Sequence, residues 1–176
     1  MPGVPLRVLV CILACTLGVL MLASVAEAKR RPAKRRPHAV LRHASSAHRL
    51  HLLRVKRLRR DRIVVLAWRA VGVPYRWGGA SPRGFDCSGL TQWVYRSVGI
   101  SLPHYTVAQW HYGRRVSRRA LQPGDLLFFS GLRHVGIYLG HGALIHAPHP
   151  GAPVEFARLR GWFASSFYGA RRLRFR

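Results

Sequence analysis

Between residues 63 and 113 the apolar positions recur at the three- and four-residue spacing of a helix. The pattern predicts one helix over residues 63–71, a second that begins at Cys87, and a shorter one over 107–112. The second helix has its apolar stripe and a following glycine at Leu90, Trp93, Val94, Val98 and Gly99. A glycine in this position is typical of a left-handed C-cap, so we expect the helix to end there.

From residue 126 onward the pattern changes to short apolar runs separated by glycine, proline and basic residues. These runs predict strands at 126–129, 134–139, 143–147, 154–156 and 170–175. Helices followed by a series of strands indicate an α+β domain with an antiparallel sheet, which we expect to be a meander. We place this domain at residues 63–176.

The first 28 residues have the pattern of a secretory signal peptide. Arg7 precedes an apolar run over 8–25, and residues 26–28 read Ala-Glu-Ala, a small-x-small cleavage pattern. The alternatives are an uncleaved membrane anchor and a lipoprotein processed at Cys15. We expect cleavage after Ala28 and an exported protein, in the periplasm or outside the cell at the wall.

Residues 29–62 are strongly basic, with 14 Lys and Arg residues against one acidic residue, Asp61. We expect a linker that is disordered in its first part. The second part, 48–62, either remains a solvated run of charges or forms a basic helix. Together with the formal net charge of +25, this arm indicates an anionic partner, either a wall polymer or a membrane surface. Export argues against nucleic acid as a partner.

Cys87 is the one cysteine outside the predicted signal peptide, because the other two are Cys11 and Cys15. An exported chain with a single unpaired cysteine usually uses its reactivity, and the count excludes a cysteine-based zinc site. The alternative is a buried structural cysteine. Since the partial positive charge of a helix N-terminus favours the thiolate, we expect a lowered pKa for Cys87.

Two histidines on predicted strands could serve this cysteine as base and orienting group. Nucleophilic catalysis needs both groups within hydrogen-bond reach of one another. His134 and His146 lie on neighbouring strands joined by a turn at 140–142, so strand pairing could bring both to one face. A thiolate–imidazolium pair with Cys87 would raise the pKa of His134. The domain contains six histidines, so spacing alone leaves the roles open.

Five sequence blocks, in this order, resemble the NlpC-type cell-wall peptidases, the family named for NlpC and a sixty-kilodalton invasion-associated protein. The blocks are GVPYRWGG (72–79), FDCSGL (85–90), LQPGDLLFF (121–129), HVGIYL (134–139) and LIHA (144–147). The resemblance extends from about residue 63 to the end of the chain.

The resemblance implies a papain-like, circularly permuted fold with no metal or organic cofactor, and we expect a monomer. It also implies an endopeptidase that hydrolyses peptidoglycan stem peptides, most often between D-glutamate and the following diamino acid. In this family pattern Cys87 is the nucleophile, His134 is the base, and His146 orients the base. Two other functions remain open: an amidase or acyltransferase with the same Cys–His pair, and a non-catalytic envelope-binding protein.

The resemblance also assigns residues around the nucleophile. Tyr75 would lie beside Cys87 and support an oxyanion hole formed by the Cys87 backbone N–H. Asp86 and Ser88 would help to hold the amine end of the substrate, although Asp86 could equally cap the helix.

Other candidate residues are expected to be structural. Asp125 follows a Pro-Gly pair and is predicted to be a turn residue. We expect Trp77 and Trp93 in the core, and His104, His111, His141 and His149 on the surface or in loops. Where the family usually has Leu-Pro-Arg-Thr, this chain has His104 and Tyr105 between Pro103 and Thr106, so a titratable ring would replace a cation near the cleft.

Overall fold

The computed structural model describes the backbone of residues 38–175 and the side chains from residue 46 onward. The predicted signal peptide and the start of the basic arm lie outside the described residues. The chain divides into two compact units, Met1–His43 and Ala44–Arg176. Of the first unit, only the backbone of residues 38–43 is described, and it is helical.

Helix α1 runs from His38 to Arg69, so it begins well before the predicted start at residue 63. The basic segment 48–62 therefore takes the helical alternative, consistent with its content of Leu, Arg and Lys, which are good helix formers. Two basic residues of this segment contact the domain: Arg60 donates to Gln122, and the Arg59 guanidinium lies over the Phe175 ring. No helix in the described part of the chain has the length and apolar character needed to cross a bilayer.

The described part of the chain contains three further α-helices, all of them short. Helix α2 spans Cys87–Arg96 and buries Leu90 and Val94, as the apolar spacing predicts. Helix α3 spans Thr106–Gln109, which overlaps the predicted helix at 107–112 but begins before it and ends earlier. Helix α4, Trp162–Ser165, and a 3₁₀ turn at Arg118–Ala120 were not predicted, because single turns carry too little periodicity to be recognised.

Within residues 38–175, eight strands form a small hairpin and a six-stranded sheet. The strands are β1 (Ala80–Ser81), β2 (Gly84–Phe85), β3 (Arg114–Val116), β4 (Leu126–Phe129), β5 (His134–Gly140), β6 (Ala143–His146), β7 (Glu155–Arg158) and β8 (Phe167–Arg172). The strand order in the sheet is β3-β8-β4-β5-β6-β7, with antiparallel pairing throughout. Strands β4 to β7 form the expected meander. The prediction is wrong for β8, which returns to lie between β3 and β4.

The central strands of the sheet, β4 to β6, are covered on both faces. On one face, Leu126, Phe128 and Ile137 pack with residues of α1 and α2. On the other face, a smaller cluster contains Leu127 and Phe129. Successive side chains of β4 point to opposite faces of the sheet because a strand has a two-residue period, and all four residues of β4 are buried.

A buried ion pair joins the start of β4 to the end of β8. Asp125 is 1% exposed, and its two carboxylate oxygens accept from Nε and Nη2 of Arg172 at 2.7 Å each. The carboxylate also accepts from the Gln122 N–H at 2.8 Å. Asp125 therefore acts within its turn, as predicted, and also anchors the sheet.

Candidate active site

Cys87 is the first residue of α2, and the preceding Asp86 is the N-cap. Asp86 Oδ1 accepts from the Gly89 N–H at 2.7 Å, and Oδ2 accepts from the Gly78 N–H at 2.9 Å. A β-carbon at Gly89 would lie 2.0 Å from the carbonyl oxygen of Gly79. The glycine is therefore required for the β1 region to pack this closely on the first turn of α2.

The Cys87 thiol is partly buried and surrounded by hydrogen-bond donors. Its Sγ lies 3.9 Å from Thr106 Oγ1, and the backbone N–H groups of Ser88 and Val135 also contact it. Burial is the largest influence and raises the pKa of the thiol, which these donors lower only in part. The expected lowering of the Cys87 pKa is therefore wrong for this structure, because desolvation outweighs the helix end.

His134 and His146 meet edge to face on the paired strands β5 and β6. His134 Nε2 lies 3.0 Å from His146 Nδ1. The pairing of Ile137 with Ile145 continues to bring Gly136 opposite His146. A β-carbon at Gly136 would lie 3.3 Å from the β-carbon of His146, so the glycine leaves the space in which the rings approach each other.

Burial lowers the pKa of His134 to about 4 and that of His146 to about 3. Aromatic rings surround the pair: Phe129 and Trp162 lie beside His134, and Phe163 lies 4.9 Å from His146 between ring centroids. The expected increase in the His134 pKa is therefore wrong as well. At neutral pH, both imidazoles and the thiol are uncharged in the resting site.

Cys87 and His134 line the same cleft, which has a volume of about 460 Å³. Tyr75, Asp86 and Ser88 line it too. Burial, followed by the nearby Cys87, raises the pKa of Tyr75, so its hydroxyl stays protonated and can donate a hydrogen bond. His146 is not among the lining residues and is buried behind His134.

Of the residues that line the cleft, Trp77 departs from its predicted position, whereas His104 lies where a titratable ring was expected. Trp77 is 86% exposed and lines the cleft, so its assignment to the core is wrong, whereas Trp93 is half-buried against Phe85 as expected. His104 lies in a loop, as predicted, but its Nε2 is 2.8 Å from Asp86 Oδ2 within the cleft. The departure from Leu-Pro-Arg-Thr was the sequence signal for this position.

Two residues that support the cleft, Thr106 and Gln109, could not be recognised from the sequence. Thr106 contacts the thiol only because α3 packs beside α2. Gln109 is fully buried and donates from Nε2 to the carbonyl oxygens of Ser88 and Pro103, which holds the loop before α3 against the first turn of α2. Contacts between segments this far apart cannot be inferred from spacing.

A cysteine at a helix N-terminus and a histidine on the adjacent sheet that line one cleft form the arrangement of a papain-like α+β domain, and the present fold is of this class. Within that class, the model of the NlpC/P60 family matches residues 72–172. The chain belongs to the NlpC/P60 family.

Relatives of known name share this domain. A probable endopeptidase of Mycobacterium tuberculosis is 45% identical over 114 residues, which is 64% of this chain and 29% of the relative. Probable endopeptidase p60 of Listeria monocytogenes is 43% identical over 103 residues, which is 57% of this chain and 21% of the relative. The chain thus spans less than a third of the length of these two proteins.

Solved structures agree with the fold. The NlpC/p60 domain of the peptidoglycan hydrolase SagA is 41% identical, with a TM-score of 0.60 over 65% of this chain and 98% of that domain. The peptidoglycan hydrolase RipB of Mycobacterium tuberculosis is 29% identical, with a TM-score of 0.60 over 66% of this chain and 65% of RipB.

Proposed function

We propose that the protein is an exported cysteine endopeptidase of the cell envelope that hydrolyses peptidoglycan stem peptides. The observation that carries the proposal is the placement of the Cys87 thiol and the His134 imidazole on one cleft, with His146 bonded behind His134. The names of the relatives support the substrate class. We further propose the bond between D-glutamate and the following diamino acid as the one hydrolysed.

The chemistry begins with two neutral groups, so His134 acts as a general base during the attack. As Cys87 Sγ bonds to the substrate carbonyl carbon, the thiol proton passes to His134. The tetrahedral intermediate then collapses, the carbon–nitrogen bond breaks, and His134 returns the proton to the leaving amine. Water activated by the same imidazole hydrolyses the thioester, which releases the acid and restores the thiol.

Charge that develops on the carbonyl oxygen requires hydrogen-bond donors. The backbone N–H of Cys87 lies in the first turn of α2, where helix N–H groups have no intrahelical acceptor. The protonated Tyr75 hydroxyl in the same cleft supplies a second donor. Loss of one such donor typically costs about 3–4 kcal/mol in the transition state, so Tyr75→Phe tests this role.

We assign recognition of the substrate amine to Asp86 and Ser88. Both line the cleft, and Ser88 Oγ donates to Asp86 Oδ1 at 2.9 Å, which orients the carboxylate. An ammonium group would bind the same carboxylate that His104 contacts in the free protein.

Digestion of purified muropeptides, followed by mass spectrometry, tests the activity and the bond. The wild type should release fragments cut after D-glutamate, and Cys87→Ala should release none although it unfolds at the same temperature. Fragments in which the whole stem peptide leaves its sugar would identify an amidase, and products with a transferred acyl group would identify an acyltransferase. Equal product from the wild type and Cys87→Ala would refute cysteine catalysis altogether.

We also propose that the exposed basic side chains of α1 hold the enzyme on an anionic wall polymer. Arg49, Arg54 and Arg57 are exposed on a helix that also exposes Leu50, Leu53 and Leu58. Each contact is weak, but linked contacts to a polymer add up.

Replacement of these three arginines by glutamine tests the attachment, because it avoids Arg59 and Arg60, which contact the domain. Binding to sacculi should fall at low salt, and the difference should shrink above roughly 0.3 M as charges are screened. The matched triple replacement by lysine should bind like the wild type. The proposal would be refuted if the glutamine variant bound sacculi as well as the wild type does. It would also be refuted if the variant lost binding to anionic lipid vesicles but not to sacculi.

A further inference from the structure

His146 has one ring nitrogen without a hydrogen bond. Its Nδ1 meets His134, whereas its Nε2 is buried and makes no hydrogen bond to any residue in the described part of the chain. The side chain of His146 is 4% exposed, so water cannot freely satisfy this atom. A buried polar atom of this kind calls for a partner, because an unmet donor or acceptor is costly.

The carboxylate of Glu155 faces this nitrogen. Glu155 on β7 is the register partner of His146 on β6, and its Oε1 lies 3.5 Å from His146 Nε2. That separation is longer than a strong hydrogen bond, but catalytic hydrogen bonds of free enzymes are often long and shorten in the complex. Glu155 is half exposed and makes no other side-chain hydrogen bond among the described residues, so its carboxylate can move closer.

The two histidines can share their protons in only two ways when both are neutral. Each neutral imidazole carries a single N–H, and the 3.0 Å contact between His134 Nε2 and His146 Nδ1 uses one of them. If His146 donates, the proton of His134 lies on Nδ1, the nitrogen left for the thiol, and His134 cannot act as a base. If His134 donates from Nε2, its Nδ1 carries a free lone pair.

We propose that Glu155 is a positioning residue that selects the second arrangement by accepting a hydrogen bond from Nε2–H of His146. A proton held on Nε2 leaves His146 Nδ1 as an acceptor, and His134 must then donate from its own Nε2. The ordered chain runs from Glu155 through His146 and His134 to the Cys87 thiol. The tautomer of His146 does not depend on the proposed peptidase function, whereas the expected change in kcat rests on it.

The same carboxylate also acts after proton transfer. When His134 takes the thiol proton, the pair becomes cationic in surroundings that disfavour charge. A negative charge at the far end of the chain stabilises that cation. The role is positional because Glu155 touches neither the substrate nor the thiol.

Histidine-selective ¹⁵N spectra of the full protein test the tautomer without reference to activity. The wild type should show His146 protonated on Nε2, with its signals assigned by their loss in His146→Gln. Glu155→Ala should shift population toward the Nδ1–H form, whereas Glu155→Gln should retain the Nε2–H form, because the amide oxygen still accepts. Arg158→Ala, an exposed charge on the same strand, should leave the spectrum unchanged.

Kinetics on a soluble muropeptide supply the second readout. Glu155→Ala should lower kcat by about tenfold with KM within about twofold, at the lower end of the effect of a hydrogen bond to a charged acceptor. Glu155→Gln should recover most of the loss, and Arg158→Ala should match the wild type. Unchanged kcat together with an unchanged His146 spectrum in Glu155→Ala would overturn the proposal. A loss of activity that tracks a lower melting temperature, with the tautomer intact, would also overturn it. An inactive wild type would refute the peptidase function, and the spectra would still decide the role of Glu155.

Discussion

The Asp125–Arg172 ion pair allows a quantitative test of what holds the sheet together. Asp125→Ala removes both 2.7 Å hydrogen bonds to the guanidinium and the acceptor of the Gln122 N–H. Arg172 keeps one partner, since its Nη2 also donates to the carbonyl oxygen of Ala120 at 2.7 Å. The hydrogen bond to Asp125 is the main reason that the pKa of Arg172 is raised, so the substitution leaves a charge held where it is poorly solvated.

Removal of one partner from a buried pair costs about 3–5 kcal/mol. The remaining bond to Ala120 and the 10% exposure of the Arg172 side chain place the expected loss near the lower end, at about 3 kcal/mol. For a chain of this size, 1 kcal/mol lowers the melting temperature by about 2–4 °C, so a decrease of roughly 10 °C is expected.

Urea unfolding, followed by tryptophan fluorescence and circular dichroism, measures how much the free energy of unfolding decreases in Asp125→Ala. The double variant Asp125→Leu/Arg172→Leu should recover most of it, because a well-packed apolar pair often replaces a buried ion pair without cost. The turnover number of the folded fraction should be unchanged in Asp125→Ala, since Asp125 does not line the cleft. A loss below about 1 kcal/mol would refute the stabilising role. A normal free energy of unfolding with abolished turnover would make Asp125 a catalytic carboxylate instead.

Three further predictions concern the site. Because burial raises the pKa of the Cys87 thiol, its alkylation by iodoacetamide should stay slow below about pH 8.5, the ordinary range of a cysteine. Because burial lowers the pKa of His134 to about 4, kcat/KM should fall on the acid side only near pH 4. Fast alkylation at pH 6 would instead reveal a thiolate–imidazolium pair. Gly89→Ala should lower the urea midpoint and kcat together, because its β-carbon would meet a backbone oxygen at 2.0 Å, and a native midpoint would contradict this. Trp77→Ala should raise KM for muropeptides without a change in melting temperature, since the ring is 86% exposed on the cleft, whereas an unchanged KM would exclude substrate contact.

The helix that begins at Cys87 was predictable because its sequence signals are local. An apolar stripe, a capping aspartate and a following glycine all lie within the segment 86–99, and the observed Cys87–Arg96 helix follows them. The contact between His134 and His146 was also predictable from a local signal, since a tight turn at 140–142 sets the register of the two strands.

Long-range features were not predictable in this way. The insertion of β8 between β3 and β4 pairs residues as distant in sequence as Leu126 and Arg171, and no short pattern specifies that choice. The start of α1 at His38 could not be predicted because a highly charged segment is equally compatible with a solvated coil.

Local sequence patterns alone identify the candidate reactive groups: one cysteine at a helix start, and two histidines on strands joined by a tight turn. Tertiary structure alone decided their protonation, because desolvation depends on the rings and strands packed around each group. It also decided that Trp77 faces the cleft and that Glu155 faces the buried nitrogen of His146. Residue types and local spacing follow from the chain directly, whereas burial and cross-strand neighbours arise only when distant segments meet.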